Sequence, residues 1–344
     1  MKKTFFTILA LCFTLMLGSC VKEIAFNGDE YPPRLVVNSL ITPGNPVIAE
    51  LGKSYFFLDQ DDEIDSSVPE GLQVNLYVND QHRGTLQHCF DTIENYGYQN
   101  ILRQYFSNEY IPVEGDVIRI TATAPGFEDV EAITSPMPKE PLCNIVDITT
   151  FDYYEIDQNE EWEEAPWFWL KSYAILTLEI TDSDLGQTNY FYLPGASDFN
   201  GFDENFPNLE IYIRPNLSDP VFENYSSSTN ETMFDFYPYK DYAFTDAFFD
   251  GGSYQIQIPI DLIVNGIGLN DVNQLQPKIL LPVQQLTKEY YDYLCSVNYV
   301  TDQMQILVEP PHTYSNVHGG YGIVGGISTH TIEHSVPVPS NIKP

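Results

Sequence analysis

Three residues near the end of the chain have the spacing of a metal-peptidase motif. His330, Glu333 and His334 match H-x-x-E-H, the pattern of inverted zinc peptidases, which needs both histidines on one turn of a helix. The flanking residues 327–329 and 336–339 are typical of a strand, in which positions 330 and 334 lie about 13 Å apart. No acidic residue follows His334 to complete a ligand set. We therefore interpret the match as coincidental.

A second candidate for metal chemistry is the segment Asp182-Ser183-Asp184-Leu185-Gly186, which has the opening spacing of a calcium loop. Position twelve of such a loop is a bidentate glutamate, but here it is Leu193, so we predict a strand-ending turn instead. The sequence contains no Gly-x-Ser-x-Gly elbow, phosphate loop or dinucleotide fingerprint. We predict a non-enzymatic protein that uses no metal or cofactor.

The best candidate for a contact surface is an aromatic and acidic segment between residues 151 and 169, which holds all three tryptophans of the chain. Clustered aromatic rings among acids can stack on sugars or fill a groove on a partner. The alternative is a hydrophobic plug between two β domains. The candidate contact residues are Tyr153, Tyr154, Trp162, Trp167 and Trp169.

The start of the chain has the three parts of an export signal. Lys2 and Lys3 precede an almost wholly apolar run, Thr4 to Leu17, which is too short for an ordinary membrane span. Leu17-Gly18-Ser19-Cys20 closes it and resembles the bacterial lipobox, in which the cysteine thiol receives a diacylglycerol. Two or three acyl chains anchor a protein stably. We predict lipidation at Cys20. Residue 21 is valine and not the aspartate that signals retention in the inner membrane, which favours the outer membrane. The sequence leaves open which side of that membrane the protein occupies.

The charge balance limits the class of partner. The chain has 15 basic and 49 acidic residues, and removal of residues 1–19 takes two lysines and no acids, which leaves 13 basic residues. Nucleic acid is excluded as a partner because binding to phosphates needs cationic neutralisation. An acidic shell is compatible with solubility, divalent cations or a basic partner. Cys89, Cys143 and Cys295 remain after processing, so at most one disulfide can form within the chain.

The composition favours strands and turns, with 24 Tyr, 21 Phe, 24 Pro and 21 Gly. Seven strands are predicted from apolar runs and alternation, bounded by turns such as Asn79-Asp80 and Pro125-Gly126. They are residues 35–41, 72–78, 117–124, 130–134, 173–181, 254–260 and 279–283, with an eighth at 303–308. One helix is predicted from Leu286 to Val297, with Thr287 as its N-cap.

The fold class is therefore mainly β, with two β-sandwich-like domains and one short helix in the second. Prolines at 136, 138 and 141 mark the boundary between the domains. The predicted organisation is a signal peptide over 1–19, a lipidated tether over 20–33, an immunoglobulin-like sandwich over 34–138 and a β-rich domain over 139–344.

The order of several segments along the chain is similar to that of a known family. They are LVVNSLI, VPEGLQVNLYVND, YIPVEGDVIRITATAPGF, DSDLGQTNYFYL, FTDAFFDGG, LTKEYYDYL and EPPHTYSNVHGGYGIVGG. Over the whole mature chain this resembles a Bacteroidota lipoprotein family known as domain of unknown function 4249. The segments at 151–169 and 216–232 are longer than the family pattern, so a shared surface there does not carry over.

The resemblance implies a two-part, β-rich lipoprotein encoded beside TonB-dependent receptors. It names no substrate and no catalytic residue. We expect an outer-membrane lipoprotein that serves as a non-enzymatic accessory subunit of an outer-membrane barrel, either a TonB-dependent receptor or a similar machine. The alternative is a surface lipoprotein that binds glycans or peptides by itself.

Overall fold

A computed structural model describes eleven parts of the chain. They are residues 32–55, 68–95, 98–158, 168–194, 201–202, 209–213, 219–222, 242–267, 276, 278–297 and 313–335. The described residues are mainly β, as predicted, with one α-helix late in the chain.

Among the described residues, eight strands precede the proline-marked junction at residues 136–141. They are β1 (Leu35–Ile41), β2 (Ile48–Lys53), β3 (Gln73–Val78), β4 (Gln81–Thr85), β5 (Gln87–Asn95), β6 (Tyr98–Ser107), β7 (Ile118–Thr123) and β8 (Val130–Ile133). Asn79 and Asp80 have positive φ angles of 51° and 62°, which is the conformation of a tight two-residue hairpin turn between β3 and β4.

In the part of the chain that the structure describes, ten strands and two short helices follow the junction. The strands are β9 (Leu142–Gln158), β10 (Phe168–Thr181), β11 (Tyr190–Leu193), β12 (Gly201–Phe202), β13 (Leu209–Ile213), β14 (Tyr242–Thr245), β15 (Ser253–Ile267), β16 (Lys278–Leu286), β17 (Val317–His318) and β18 (Tyr321–Ser335). The helices are a 3-10 turn at Pro220–Phe222 and α1 at Lys288–Val297.

Within the described residues the strands form three sheets. The largest runs β14-β11-β16-β18-β1-β2-β6-β5, with β12 added at β16, and the others run β17-β8-β7-β3-β4 and β13-β15-β10-β9. The alternation of buried and exposed residues in β1, β3 and β7 places one face of each strand in the core.

Two hydrophobic cores lie on either side of the junction. The first is built from β1, β2, β3, β7 and β8 and also takes in Val317 and Val324 from the end of the chain. The second is built from β10, β11, β14, β15 and β16, with Phe191, Phe222 and Phe244 among its largest buried side chains. The division at 138/139 stays a prediction. Residues 317–324 come from the second predicted domain, but they pair with β1 and β8 and pack in the first core.

The long strand β18 connects the two parts. Its first half pairs in parallel with β1, from Val36↔Tyr321 to Ile41↔Gly326, and its second half pairs antiparallel with β16, from Leu286↔Ile327 to Lys278↔Ser335. Gly325 lies against α1, where a Cβ would meet Tyr290 Cβ at 2.7 Å. The glycine-rich run at 319–326 therefore allows close approach of the backbone to β1 and α1.

The predicted helix is present, but it starts two residues later than predicted, because Leu286 is the last residue of β16. α1 starts at Lys288, and Thr287 directly precedes it, but the Thr287 hydroxyl accepts a hydrogen bond from Gly326 N at 2.9 Å. Thr287 N also donates to Gly326 O at 2.9 Å. Thr287 therefore holds the predicted N-cap position, since its carbonyl oxygen accepts from Tyr291 N at 3.1 Å, and its hydroxyl ties the start of the helix to β18.

Candidate functional site

Two loops near the junction are held together by buried carboxylates. The first loop, residues 182–189, follows β10, and the second, residues 246–252, joins β14 to β15. Asp182 in the first loop and Asp246 in the second are only 3% and 2% exposed. Burying a carboxylate is costly unless it is hydrogen-bonded, so the partners of these two groups determine how the loops are held.

The Asp182 carboxylate accepts three hydrogen bonds from N–H groups. Asp184 N donates to Oδ1 at 2.9 Å, Asn189 Nδ2 donates to the same oxygen at 2.9 Å, and Gly251 N donates to Oδ2 at 2.6 Å. The bond from Gly251 crosses from the second loop to the first. Asp182 therefore fixes both the turn of its own loop and the distance between the loops.

Asn189 connects the second carboxylate to the same network. Its backbone N and its Nδ2 both donate to Asp246 Oδ2, at 2.8 and 3.0 Å, and its Oδ1 accepts from Gln285 Nε2 of β16 at 2.7 Å. Gln285 is itself buried. The carboxylates of Asp182 and Asp246 and the side chains of Asn189 and Gln285 thus form a continuous hydrogen-bond network, in which all but Asn189 are buried.

The surroundings of Asp246 disfavour the ionised form of its carboxyl group. Burial raises the pKa of this carboxyl above its ordinary value, and the hydrogen bonds from Asn189 oppose that rise. The nearby Asp182 and Asp250 carboxylates raise the pKa further. The ionised form is therefore stabilised mainly by Asn189.

The loops present two exposed apolar side chains. Leu185 is 77% exposed and Phe248 is 51% exposed. Leu185 lies against Gly251, where a Cβ would meet Leu185 Cδ1 at 2.7 Å, and the Phe248 ring is 6.4 Å from the ring of Tyr254. We name the two hydrogen-bonded loops, residues 182–189 and 246–252, with their exposed side chains Leu185 and Phe248, the junction surface. Large apolar side chains held in fixed positions in water are typical of a contact with another protein.

The junction surface is also tied to the residues between the two cores. Lys139 Nζ donates to the Ser183 hydroxyl and forms an ion pair with Asp184. On the other side of the junction, Glu289 of α1 accepts from both Ser135 N and Ser135 Oγ, at 2.9 and 2.7 Å. Side chains of 135 and 139 thus connect the junction segment with elements of the second part.

The carboxylates of Asp182 and Asp246 are engaged by N–H donors of the loops themselves. The oxygens of Asp182 are already hydrogen-bonded, and within the described residues no group of three or more His, Cys, Asp or Glu side chains is placed to hold a metal ion. Asp182 and Asp184 form a strand-ending turn after β10, as predicted from the absence of the twelfth calcium ligand.

The H-x-x-E-H residues lie in β18, in agreement with the strand predicted for them. His330 Nδ1 lies 2.6 Å from Glu140 Oε1, whereas Glu333 Oε1 accepts from Lys278 Nζ at 2.7 Å. His330 and His334 pair with Val283 and Ile279 of β16. The three residues therefore have separate partners on an extended strand.

The predicted aromatic contact residues are only partly described. Trp162 and Trp167, like the lipidation site Cys20, lie outside the described residues, as does the strand predicted at 303–308. The backbone of Tyr153 and Tyr154 belongs to β9 and that of Trp169 to β10, where Trp169 pairs with Asp157. β9 starts and β10 ends beside the junction, at Leu142 and Thr181, so the opposite end of the hairpin is about 40 Å from it along β10.

The three cysteines that remain after the signal segment are all free thiols. Sequence reasoning left one disulfide open, and the structure pairs none of them. The sequence patterns also did not single out Leu185 and Phe248. The available signal was that both lie in segments, DSDLGQTNYFYL and FTDAFFDGG, that supported the family resemblance.

No helix in the described part of the chain is long and apolar enough to cross a bilayer. No curated protein matches the chain. A family match covers residues 21–333, which takes in both hydrophobic cores, the junction and the glycine-rich run of β18. The chain belongs to the family described as Domain of unknown function (DUF4249).

Proposed function

We propose that this protein is an outer-membrane lipoprotein, acylated at Cys20, that acts as a non-enzymatic accessory subunit of an outer-membrane barrel such as a TonB-dependent receptor. The observation that supports this most directly is the junction surface. Leu185, at 77% exposure, and Phe248, at 51%, are presented by loops that a buried hydrogen-bond network holds in place.

The network explains why the junction surface suits a stable contact. An exposed apolar side chain on a mobile loop loses conformational entropy when a partner orders it, and this loss weakens binding. Here Asp182 and Asn189 have already fixed the loops through bonds to Gly251 and Asp246. A partner that covers Leu185 and Phe248 gains apolar burial with a small ordering cost.

The charge of the chain indicates the chemistry around such a contact. With 49 acidic and 15 basic residues, the protein favours a partner with basic side chains around an apolar centre. Asp184 and Asp250 border the two apolar side chains in sequence. A matching surface on a barrel would place lysine or arginine beside these carboxylates.

Affinity purification from the native membrane tests the proposal. The full chain, tagged at its C-terminus, is extracted in mild detergent, and copurifying proteins are identified by mass spectrometry. Leu185→Ser with Phe248→Ser should lower barrel recovery at least tenfold, because central apolar contacts contribute about 2 kcal/mol or more each. Val113→Ser is the matched control, since Val113 is 59% exposed at the turn before β7. Recovery of no barrel protein, or equal recovery with all variants, contradicts the proposal.

A second candidate function is supported by the β9–β10 hairpin. It carries Tyr153, Tyr154 and Trp169 to its end opposite the junction, in the same segment as Trp162 and Trp167. Such an end could bind a glycan or a peptide without a barrel. Glycan-array and peptide binding by the purified chain tests this function. Ligand binding that survives alanine at all three tryptophans rules it out.

A further inference from the structure

One end of the first sandwich gathers the ends of three neighbouring strands. Here β1 begins, β2 ends and β18 begins, with Leu35 paired to Lys53 and Val36 paired to Tyr321. We name this the N-terminal end face and define it by residues 32–34, 53–55 and 319–321. Pro32 belongs to this face and lies twelve residues after Cys20 in the sequence.

Two pairs of cationic and aromatic side chains occupy the end face. The Arg34 guanidinium lies 5.8 Å from the centre of the Tyr321 ring, and Lys53 Nζ lies 5.5 Å from the centre of the Tyr55 ring. Tyr321 and Tyr55 are 48% and 45% exposed. Within the described residues, Arg34 forms no ion pair with an acidic side chain. Its guanidinium is therefore available to an anionic group from outside.

A shallow depression of about 600 Å³ lies beside these pairs. It is lined by Lys53 together with Val68, Pro69, Glu70, Pro125 and Phe127. Most of this lining is apolar, and Glu70 contributes a negative charge. The end face thus offers cations, phenol rings and apolar side chains close together on a chain that is otherwise strongly acidic.

This combination matches the interfacial layer of a bilayer. Tyrosine is enriched at that depth because its ring is apolar and its hydroxyl is polar, and arginine and lysine bind lipid phosphates. We propose that the N-terminal end face rests on the phospholipid headgroups, with Arg34 at a phosphate and Tyr55 and Tyr321 in the interfacial layer. This inference rests on the proposed anchoring of the chain at Cys20.

The length and charge of the chain support an end-on contact with lipid. Residues 21–31 separate Cys20 from Pro32, and eleven residues reach at most about 40 Å when fully extended. The end face is therefore always within reach of the membrane surface. The excess of acidic residues elsewhere repels an anionic surface, which disfavours a protein lying flat. The body then stands on the end that carries Arg34 and Lys53.

Flotation with vesicles tests the contact without the acyl chains. The mature chain, residues 20–344 with Cys20→Ser, is mixed at low ionic strength with vesicles of phosphatidylethanolamine and phosphatidylglycerol at high lipid concentration. We expect part of the protein to float, and Arg34→Ser to lower the bound-to-free ratio about fivefold, the effect of one cation at such a surface. Addition of Tyr55→Ser and Tyr321→Ser should lower it further, and Glu70→Gln should raise it.

Arg83→Ser is the matched control. Arg83 also lies over a tyrosine, 5.2 Å from the centre of the Tyr110 ring, but near Asp116 at the other end of the sandwich. It should leave flotation unchanged, and thermal unfolding confirms that each variant is folded. Absence of flotation, equal flotation of the triple variant, or an equal loss with Arg83→Ser overturns the proposal. Barrel recovery through Leu185 and Phe248 is measured separately, so either proposal can fail without the other.

Discussion

The Asn316 side chain binds both backbone polar groups of Val324. Its Nδ2 donates to Val324 O at 2.8 Å, and its Oδ1 accepts from Val324 N at 3.0 Å. The same Nδ2 also donates to Ile133 O at the end of β8, at 3.0 Å. A single amide thus connects the last strand of the chain to the sheet that precedes the junction.

Replacement of Asn316 by alanine should lower the free energy of unfolding by about 2–4 kcal/mol. Asn316 and Val324 are both buried, so the change leaves backbone N–H and C=O groups without partners in a region that water does not reach. Urea unfolding followed by circular dichroism measures the loss. Asn75→Ala is the control, because Asn75 accepts only an exposed bond from Thr85 and its loss should change stability by about 0.5 kcal/mol or less. A loss below about 1 kcal/mol for Asn316→Ala would contradict the assigned role.

Alanine substitutions at Gly325 and Gly52 distinguish the effect of close packing on stability from the effect of removing a glycine. A methyl group at Gly325 would meet Tyr290 Cβ of α1 at 2.7 Å, whereas nothing lies within 4 Å of a Cβ at Gly52. Neither residue has a positive φ angle. We expect Gly325→Ala to lower the free energy of unfolding by about 1–3 kcal/mol because α1 must move away from β18.

Gly52→Ala should be neutral or stabilise the fold by up to about 1 kcal/mol, since alanine loses less backbone entropy on folding. Thermal and urea unfolding of the two variants provide the comparison. Equal effects at both positions would show that the approach of α1 to β18 is not what requires glycine at 325.

The alternation of apolar and polar residues in the sequence was enough to predict the strands whose side chains alternate between core and solvent. β1, β3 and β7 have this alternation, and the predicted turn at Asn79-Asp80 has the required positive φ angles. The lengths of β10 and β15 were underestimated. β10 starts at Phe168 and β15 extends to Ile267, because pairing between these two strands continues past the apolar runs that marked them.

The pairing of β18 with β1 has no local signal. Val36 and Tyr321 are neighbours in a parallel pair although almost the whole chain separates them, and side-chain periodicity carries no information about such a partner. The junction surface was missed for a related reason. Leu185 and Phe248 each look like an ordinary loop residue, and their loops are brought together by long-range hydrogen bonds, such as those from Gly251 N to Asp182 and from Asn189 to Asp246. The predicted sites at Cys20, Trp162 and Trp167 stay predictions.

The thiol of Cys143 should react slowly in the folded protein. Burial, and to a lesser extent the charge of Glu140, raises the pKa of this thiol to about 12. The thiolate is the reactive species, so its fraction near pH 8 is far smaller than in the unfolded chain. In the mature chain, residues 20–344, with Cys20→Ser, Cys89→Ser and Cys295→Ser, we expect Ellman's reagent to react at least about tenfold more slowly in buffer than in urea.

The pH dependence of that reaction gives an independent check. The rate in the folded protein should keep rising through about pH 10, because the thiol is still mostly protonated there, whereas the rate in urea should level off earlier. Glu140→Gln should increase the folded rate modestly by removing the nearby negative charge. Equal rates in buffer and urea near pH 8 would show that Cys143 is not buried as described.

The carboxyl of Asp246 should make the stability of the fold depend on pH. Its pKa is raised in the folded state, chiefly by burial, above the ordinary value of 3.8. The folded state therefore binds this proton more tightly than the unfolded chain does. The resulting stabilisation is fully present below about pH 3.8 and is lost as the pH rises through the folded pKa. Asp246→Asn removes this titration, so the stability of the parent minus that of the variant should fall as the pH rises.

Urea unfolding of both proteins at several values from about pH 4 to about pH 8 measures this difference. Asp80→Asn, in the exposed turn after β3, corrects for the loss of one acidic group from a highly acidic chain. Asparagine at 246 can still accept the bonds from Asn189 N and Nδ2 through its amide oxygen, so the network stays largely intact in the variant. A difference that stays constant or grows with pH would contradict a raised pKa at Asp246, and would mean that Asn189 stabilises the carboxylate by more than burial destabilises it.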